Sequence, residues 1–382
     1  MRVLQVHTRY REAGGEDAVI AAESALLEGA GHEVVQWIGQ NPTGTVEALK
    51  ALLKAPNNKD AASAVAAAAA EAAPEVVHVH NTWFATSPAA LPALRAAVDV
   101  PIVMTLHNYR LSCANALLLR DGSPCELCVG AGPWNAVRYG CYRDSRLQSV
   151  AAAATISINR RRGSWTDNVD RFLALTEFAR SKAIAGGLPA TKVRVKANFV
   201  PDPGPRSQPA AESNQVLFVG RITAEKGIGT LLSAWRRAHP VGLELVVAGD
   251  GPMYQELRHG EWPDVRFLGR VDRDGVQQLM AESRALVFPS EWYEGMPMTL
   301  LEAFASGLPV IGSNLGSMTE MLSPLGDPWL VEPGMVNAWS QGLTVLEDDT
   351  AVSTASETAR ELWATSYGPE TALQNLLDAY AT

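Results

Sequence analysis

The sequence predicts an α/β protein of two domains, each a parallel sheet wound with helices, and three observations carry that reading. The chain has 382 residues, long for one domain and natural for two of roughly 200. Short apolar runs alternate with helix-length stretches along most of it, as βαβ units do. The stretch Leu286–Ser313, LVFPSEWYEGMPMTLLEAFASGLPVIGS, reads as a strand, a loop, a helix opening near Pro297 and a second strand at Pro309–Ile311. Proline costs nothing at a first helical position, where its missing N–H would be unpaired anyway, and Ser306, Gly307 and Pro309 make a good helix stop. The loop therefore lies at the C-terminal edge of a parallel sheet, where open α/β sheets bind ligands. Its free N–H groups favour an anion such as phosphate.

Composition sets bounds on partners. With 47% hydrophobic and 19% charged residues, the chain can fill two ordinary cores, and nothing argues for disorder. The weakly polar runs Ala61–Ala73 and Val150–Ile158 are too short or too alanine-rich to span a bilayer, and Met1–Thr8 reads as a strand, not a signal peptide, so the expected location is the cytoplasm. The net charge of −9 is uneven: residues 1–199 hold 21 Lys and Arg against 17 Asp and Glu, and residues 200–382 hold 11 against 24. An acidic protein is a poor non-specific nucleic-acid binder. The mildly basic first half could meet an anionic acceptor or a membrane face in weak peripheral association, although most such charges are solvated surface.

In chain order, Met1–Thr8 alternates apolar and polar residues as a first strand. The loop Arg9–Gly15 follows, then a helix from Glu16 and Asp17 to about Gly29; strand, Gly-Gly turn and helix form the βα unit of a nucleotide-binding fold. Gly31–Ile38 is a second strand, and Thr45–Ala73 is helical with a polar break at Asn57–Asp60. Glu75–His80 and Pro101–Leu106 are buried strands whose C-terminal ends carry His80, Asn81, His107, Asn108 and Tyr109. A lone histidine is more often structural than functional, but two at equivalent strand ends shift the balance, with His107 well ahead of His78. All four cysteines then fall within 29 residues, as Cys113, Cys125, Cys128 and Cys141. In a cytosolic protein this favours a structural zinc over disulfides, since four thiolates complete a tetrahedral site. Only Cys125 and Cys128 have knuckle spacing, and thiols without metal, some of them redox-active, are the alternative. Arg146–Arg162 is a helix with a cationic end, Arg171–Thr176 a strand followed by a helix from Glu177, and Lys192–Phe199 closes the first domain.

Phe199–Gln215, with four prolines and no periodicity, reads as the linker. This gives a first domain at 1–198 with a Cys-rich insertion at 113–141, a linker at 199–215, a second domain at 216–366 and a last segment at 367–382. Val216–Val219 is a strand followed by Gly220-Arg221 and Glu225-Lys226-Gly227, whose two cations can both reach a diphosphate. Leu243–Gly249 is the next strand, turning at Gly249-Asp250-Gly251-Pro252, and Val265–Leu268 leads to Gly269, Arg270 and Val271. Asn314–Leu322 and Leu330–Pro333 add a turn and a strand, Val336–Glu347 a helix, and Tyr367–Tyr380 a final amphipathic helix.

Glu294 and Glu302 stand on either side of the helix start. A carboxylate is repelled by phosphate but accepts hydrogen bonds from sugar hydroxyls, so the arrangement suits a diphosphate with a sugar at each end, which is a nucleotide sugar. The Glu-x7-Glu pair inside EGMPMTLLEAFASGLPVI resembles the signature of the family 4 retaining glycosyltransferases of the GT-B fold. The resemblance implies two Rossmann-like domains facing across an interdomain cleft, with the acceptor held mainly by the first, the donor mainly by the second, and the last helix crossing back to the first. GR-x3-EKG resembles the family's diphosphate clamp, which makes Gly220, Arg221 and Lys226 donor-binding. The family's pattern adds Gly14 and Gly15 in the first loop, Gly249, Val271 on the wall that holds the base, and Gly295, Met296, Pro297, Met298 and Thr299 at the helix start. Glu294 would position the donor sugar, and Glu302 the ribose. His107 in TLHNYR resembles the histidine that reaches the transferred sugar, and His80, Asn81, Asn108 and Tyr109 are acceptor-side candidates. Asp272-Arg273-Asp274 spells a metal-binding D-x-D, but it opens a helix where Asp is the expected N-cap, and this fold neutralises diphosphate without metal.

The implied activity is transfer of a sugar from a nucleotide diphosphate donor to an acceptor hydroxyl with retained configuration, in bacterial glycan, glycolipid or secondary-metabolite synthesis. Catalysis would need no cofactor and would rest on Glu294, His107, Arg221 and Lys226. A nucleotide-sugar epimerase or phosphorylase on the same architecture, and a non-catalytic nucleotide-sugar-binding or zinc-stabilised assembly protein, are the alternatives.

Overall fold

The computed structural model describes residues 1–10 and 14–381. Within the first half the elements are β1 (Arg2–Arg9), α1 (Gly15–Gly29), β2 (Glu33–Gln40), α2 (Thr45–Lys54), α3 (Lys59–Ala72), β3 (Val76–Val79), α4 (Ala90–Ala97), β4 (Ile102–Leu106), the short hairpin β5 (Leu119–Arg120) and β6 (Ser123–Pro124), α5 (Asn135–Tyr139), α6 (Arg146–Arg161), β7 (Arg171–Ala174), α7 (Glu177–Ala185) and β8 (Val193–Val195). The second half has β9 (Gln215–Val219), α8 (Ile228–Ala238), β10 (Glu244–Ala248), α9 (Tyr254–Arg258), β11 (Val265–Gly269), α10 (Arg273–Glu282), β12 (Ala285–Phe288), α11 (Met298–Ala305), β13 (Val310–Ser313), α12 (Ser317–Leu322), β14 (Leu330–Val331), α13 (Val336–Gly342), α14 (Asp349–Leu362) and α15 (Pro369–Tyr380). Contacts divide the chain into two compact units. One holds Met1–Leu118, Cys125–Ala197 and the residues from Ala372 on; the other holds Leu119–Pro124 and Asn198–Thr371.

The first unit is a six-stranded sheet in the order β2-β1-β3-β4-β7-β8, parallel throughout. Its central strand β3 (VVHV) is buried at all four positions, as a strand covered on both faces must be. The polar break between α2 and α3 is a cap: the Asn58 side chain accepts from the Ala61 N–H and starts the second helix. Ser145 and Thr176 cap α6 and α7 in the same way, satisfying N–H groups that would otherwise be unpaired. The last helix starts at Pro369, two residues later than the amphipathic pattern predicts, after a widened turn at Trp363–Tyr367. Its Leu376, Ala379 and Tyr380 pack with Val3, Val76, Val103 and Leu173 of the first sheet.

The second unit has the order β11-β10-β9-β12-β13-β14, also parallel. Trp235, Trp339, Phe218 and Leu346 fill one side of it. Helix α14 has no counterpart in the sequence reading because its Thr, Ser and Ala residues make a weak apolar stripe; Val352, Ala355 and Ala359 are nonetheless buried, and Asp348 caps it through the Thr350 and Ala351 N–H groups. Asp272 caps α10 by accepting from Gly275 N–H at 2.9 Å, which uses its side chain as the N-cap reading of D-x-D expects. Pro297 is the N-cap of α11, one position before its expected place.

Strand order determines where the loops gather. In the first sheet the direction of winding reverses between β1 and β3, and in the second between β9 and β12, and ligands bind outside the strand ends at such switch points. No helix is long and apolar enough to cross a membrane among the described residues.

Glycine is needed where the second sheet's turns crowd together. Gly249 has φ +148°, and a Cβ there would lie 1.8 Å from the Gly220 carbonyl oxygen. Gly249→Ala is therefore expected to cost at least about 1–3 kcal/mol. A lower urea midpoint with unchanged slope would show this; an unchanged midpoint would mean the turn relaxes freely.

Candidate active site

In the second unit the loops after β9 and β12 meet at the switch point. Gly227 begins α8 with φ +69°, and a Cβ on it would lie 2.0 Å from the Pro289 carbonyl oxygen, so the glycine lets the Lys226 loop lie flat against the end of β12. Lys226 Nζ donates to Glu294 Oε1 at 2.7 Å. Ser290 Oγ and Trp292 Nε1 donate to that same oxygen at 2.6 and 2.8 Å. Glu294 is buried and held by three donors, while the ammonium also lies 5.6 Å from the Phe288 ring centroid and 5.4 Å from that of Trp292. Ser290 and Trp292 are not among the expected residues, although they stand four and two positions before Glu294. Arg221 is exposed.

Beside this cluster is a cavity of about 310 Å³, lined by Val219, Val271, Arg273, Gln277, Glu302 and Ser306 among others. Val219 directly precedes Gly220 and Arg221, and Glu302 lies on α11, so the cavity shares its walls with the switch point. Burial raises the Glu302 carboxyl above its usual value, with the nearby Arg273 pulling the other way. Met296 is buried, its sulfur accepting from the Asn198 N–H at 3.2 Å.

In the first unit the loops after β1, β3 and β4 converge. Gly14 and Gly15 are exposed at the start of α1, where Gly14 N–H donates to Asp17 Oδ2 at 3.0 Å; residues 11–13 of the expected loop Arg9–Gly15 lie outside the described residues. His107 stands at the end of β4, its Nε2 3.1 Å from His80 Nδ1, and burial lowers its pKa to about 4. Both residues border a small cavity with Asn108 and Trp165. Several expected acceptor-side groups already have partners within the chain. Asn81 donates to the Thr8 carbonyl and accepts from Trp83 N–H, both at 2.8 Å. Tyr109 packs against the first unit's core. Asn108 Nδ2 donates to Glu16 Oε1 at 2.9 Å, and burial pushes the Glu16 carboxyl up to about 7. Glu16 was not singled out from sequence, where a first-turn glutamate looks like an ordinary helix-dipole partner.

No cysteine forms a disulfide, and among the described residues the sulfurs of Cys113, Cys125, Cys128 and Cys141 are not gathered to ligand spacing as a group of three or more. Cys113 Sγ donates to Asn115 Oδ1 at 2.8 Å. Cys128 is pushed up to about 11, first by burial and then by its three cysteine neighbours. As it stands the segment does not present the tetrahedral tetrathiolate that zinc requires. At pH 8 only about one Cys128 in a thousand is thiolate, so iodoacetamide should modify the half-buried Cys125 long before Cys128, as read by peptide mass spectrometry. Protection of all four until a chelator is added would reinstate the zinc.

Residues 5–198 match the family described as Glycosyl transferase 4-like domain, and residues 213–349 match Glycosyl transferases group 1. The chain belongs to this family of glycosyltransferases. It is 28% identical over 255 residues to the glycogen synthase of Mycobacterium tuberculosis, covering 65% of this chain and 54% of that protein. It is 29% identical over 213 residues to the O-antigen chain mannosyltransferase B of Escherichia coli, covering 48% and 53%. The chain thus spans about half the length of these curated relatives. Among solved structures, sucrose-phosphate synthase from Thermosynechococcus elongatus is similar with a TM-score of 0.70 at 18% identity, over 100% of this chain and 98% of that one. Anabaena HepE in complex with UDP and glucose gives 0.65 at 17%, over 100% and 99%. At these identities the likeness is one of fold, the GT-B type with its two Rossmann-like domains.

Proposed function

We propose that the protein is a retaining glycosyltransferase that takes its sugar from a nucleoside diphosphate donor without a catalytic metal. The observation that carries this is the second unit's switch point, where a lysine, an exposed arginine, a helix N-terminus and a cavity walled by Glu302 occur together. The diphosphate would lie against Arg221, Lys226 and the N–H groups at the start of α11, and the nucleoside in the cavity, with Glu302 accepting from the ribose hydroxyls and Val271 against the base. Glu294 and His107 would serve the transferred sugar. UDP is the first donor base to test, because HepE binds it on the same fold. As the bond from the anomeric carbon to the phosphate oxygen breaks, negative charge grows on the diphosphate, and pre-placed cations and dipoles stabilise it. The acceptor oxygen bonds to the anomeric carbon on the same face, and its proton passes to the departing phosphate. Lys226 reaches this role by exchanging part of its contact with Glu294 for the diphosphate. The acceptor is a hydroxyl of a glycan, a lipid-linked sugar or a small metabolite.

Thermal stabilisation and slow hydrolysis across UDP-, GDP-, ADP- and TDP-sugars test the reading. One donor should stabilise the protein and be consumed, with Arg221→Ala and Glu294→Ala losing roughly 10²–10³ in turnover, by analogy with removal of one oxyanion donor. Absence of binding by every donor would sink it.

The raised Glu302 pKa gives a signed pH dependence. The ribose needs the ionised carboxylate, and a group whose pKa is raised protonates earlier as pH falls. Donor affinity should therefore weaken on acidification at a pH above the ordinary carboxylate value of 4.5. Titration calorimetry between pH 7.5 and 5 checks this, with Glu302→Gln expected to flatten the profile; the same slope in both proteins would assign it to another group.

A further inference from the structure

Beneath His107 lies a cluster of charged and polar groups that the donor chemistry does not use. Glu23 of α1 and Lys196, just after β8, are fully buried and form a short ion pair through Nζ and Oε1. The other carboxylate oxygen, Oε2, has no hydrogen-bond partner among the described residues, and neither has His80 Nε2; these two atoms face each other at 3.6 Å. His80 Nδ1 then lies 3.1 Å from His107 Nε2, with the two rings stacked at 5.4 Å between centroids. A continuous line therefore runs from Lys196 through Glu23 and His80 to His107.

Glu23, His78 and His80 place ligand atoms within 4.8 Å of one another, but the surroundings argue against a metal. The Lys196 ammonium already neutralises Glu23. Both nitrogens of His78 are taken, Nδ1 by the Tyr380 hydroxyl and Nε2 by Thr105 Oγ1, each at 2.8 Å. A divalent cation would meet a buried positive charge at the site.

The same surroundings determine where the imidazole protons sit. Burial keeps His80 and His107 neutral, and Lys196 removes any need for a second cation beside Glu23. A lone pair on His80 Nε2 would face the carboxylate oxygen and be repelled, so Nε2 carries the proton. His80 Nδ1 is then an acceptor, and among the described residues the group in reach to donate to it is His107 Nε2–H. His107 is left with a bare Nδ1.

We propose that His80, backed by the buried Glu23–Lys196 pair, is a positioning residue that locks His107 in its Nε2–H tautomer, so that His107 presents Nδ1 to substrate as an acceptor for a sugar hydroxyl. The last clause rests on the transferase reading; the tautomer does not. In this arrangement His107 accepts a hydrogen bond and does not supply a proton to the departing group.

Two measurements separate the claims. In ¹⁵N-histidine-labelled protein, nitrogen shifts should show His107 with a protonated Nε2 and an unprotonated Nδ1, and His80→Phe should convert this to a mixture of tautomers. An Nδ1–H tautomer in the wild type, or an unchanged His107 in the variant, would overturn the proposal whether or not the protein turns over. In kinetics with the donor found by the panel, His80→Phe should lower kcat roughly tenfold or more, by analogy with loss of a group that orients a metal-bound histidine. The donor KM should stay within about twofold, and the change should cost nothing further in a His107→Ala background. Additive losses would mean that His80 acts separately from His107. Glu23→Gln alone would leave the Lys196 ammonium stranded in the core, so the pair is tested as Glu23→Gln/Lys196→Met, which removes both charges at similar volume. This double variant should show the same tautomer mixture, and an unmoved His107 in it would confine the pair to a structural role.

Discussion

Parallel pairing is the constraint on which everything else depends. When every strand of a sheet runs the same way and every crossover returns over a face, all the strand ends that lead into helices emerge on one edge. Each unit has one place on that edge where neighbouring crossovers leave in opposite directions, so that no helix covers the gap. The second unit fills its gap with Lys226, Glu294 and the start of α11. The first fills its own with the start of α1 and the end of β3, while His107 follows the next strand, β4. The chemistry-bearing residues stand where they do because the topology leaves room only there.

Close packing turns this coarse placement into a specific geometry. At Gly227 and Gly249 the backbone passes within a distance that admits no side chain, and this draws the Lys226 loop onto the end of β12 and the β10 turn onto Gly220. The result in the second unit is a cation and two further donors converging on a single carboxylate oxygen, Glu294 Oε1. Such an oxygen has little freedom left.

Sequence revealed these features unevenly, for a physical reason. The second unit's candidate residues are written in short contiguous stretches, GR-x3-EKG and the Glu-x7-Glu segment, because a loop and the helix it opens carry most of the groups. Strands and helices with a firm apolar period were also legible, whereas α14 escaped because Ala, Ser and Thr make only a faint stripe. The first unit's buried network was hidden by distance. Glu23 and Lys196 are 173 positions apart and His78 and Tyr380 are 302 apart, and no local pattern links such partners. One clue was present: Glu23 shares the buried face of α1 with Val19, Ile20 and Leu27, a position that a charged residue occupies only with a partner waiting for it. For the cysteines, closeness along the chain does not by itself gather three or more sulfurs to metal-ligand spacing among the described residues.

The return of α15 has a consequence for the birth of the protein. Leu376, Ala379 and Tyr380 complete the face that covers Val3 and Val76, and the Tyr380 hydroxyl closes one side of His78. On the ribosome the first sheet can form early, but that face stays bare while residues 198–371 are still being made. At usual synthesis rates this lasts on the order of ten seconds or more. During that interval a nascent chain carries an open apolar surface and a buried-to-be histidine in contact with water, so the unit translated first is the one finished last.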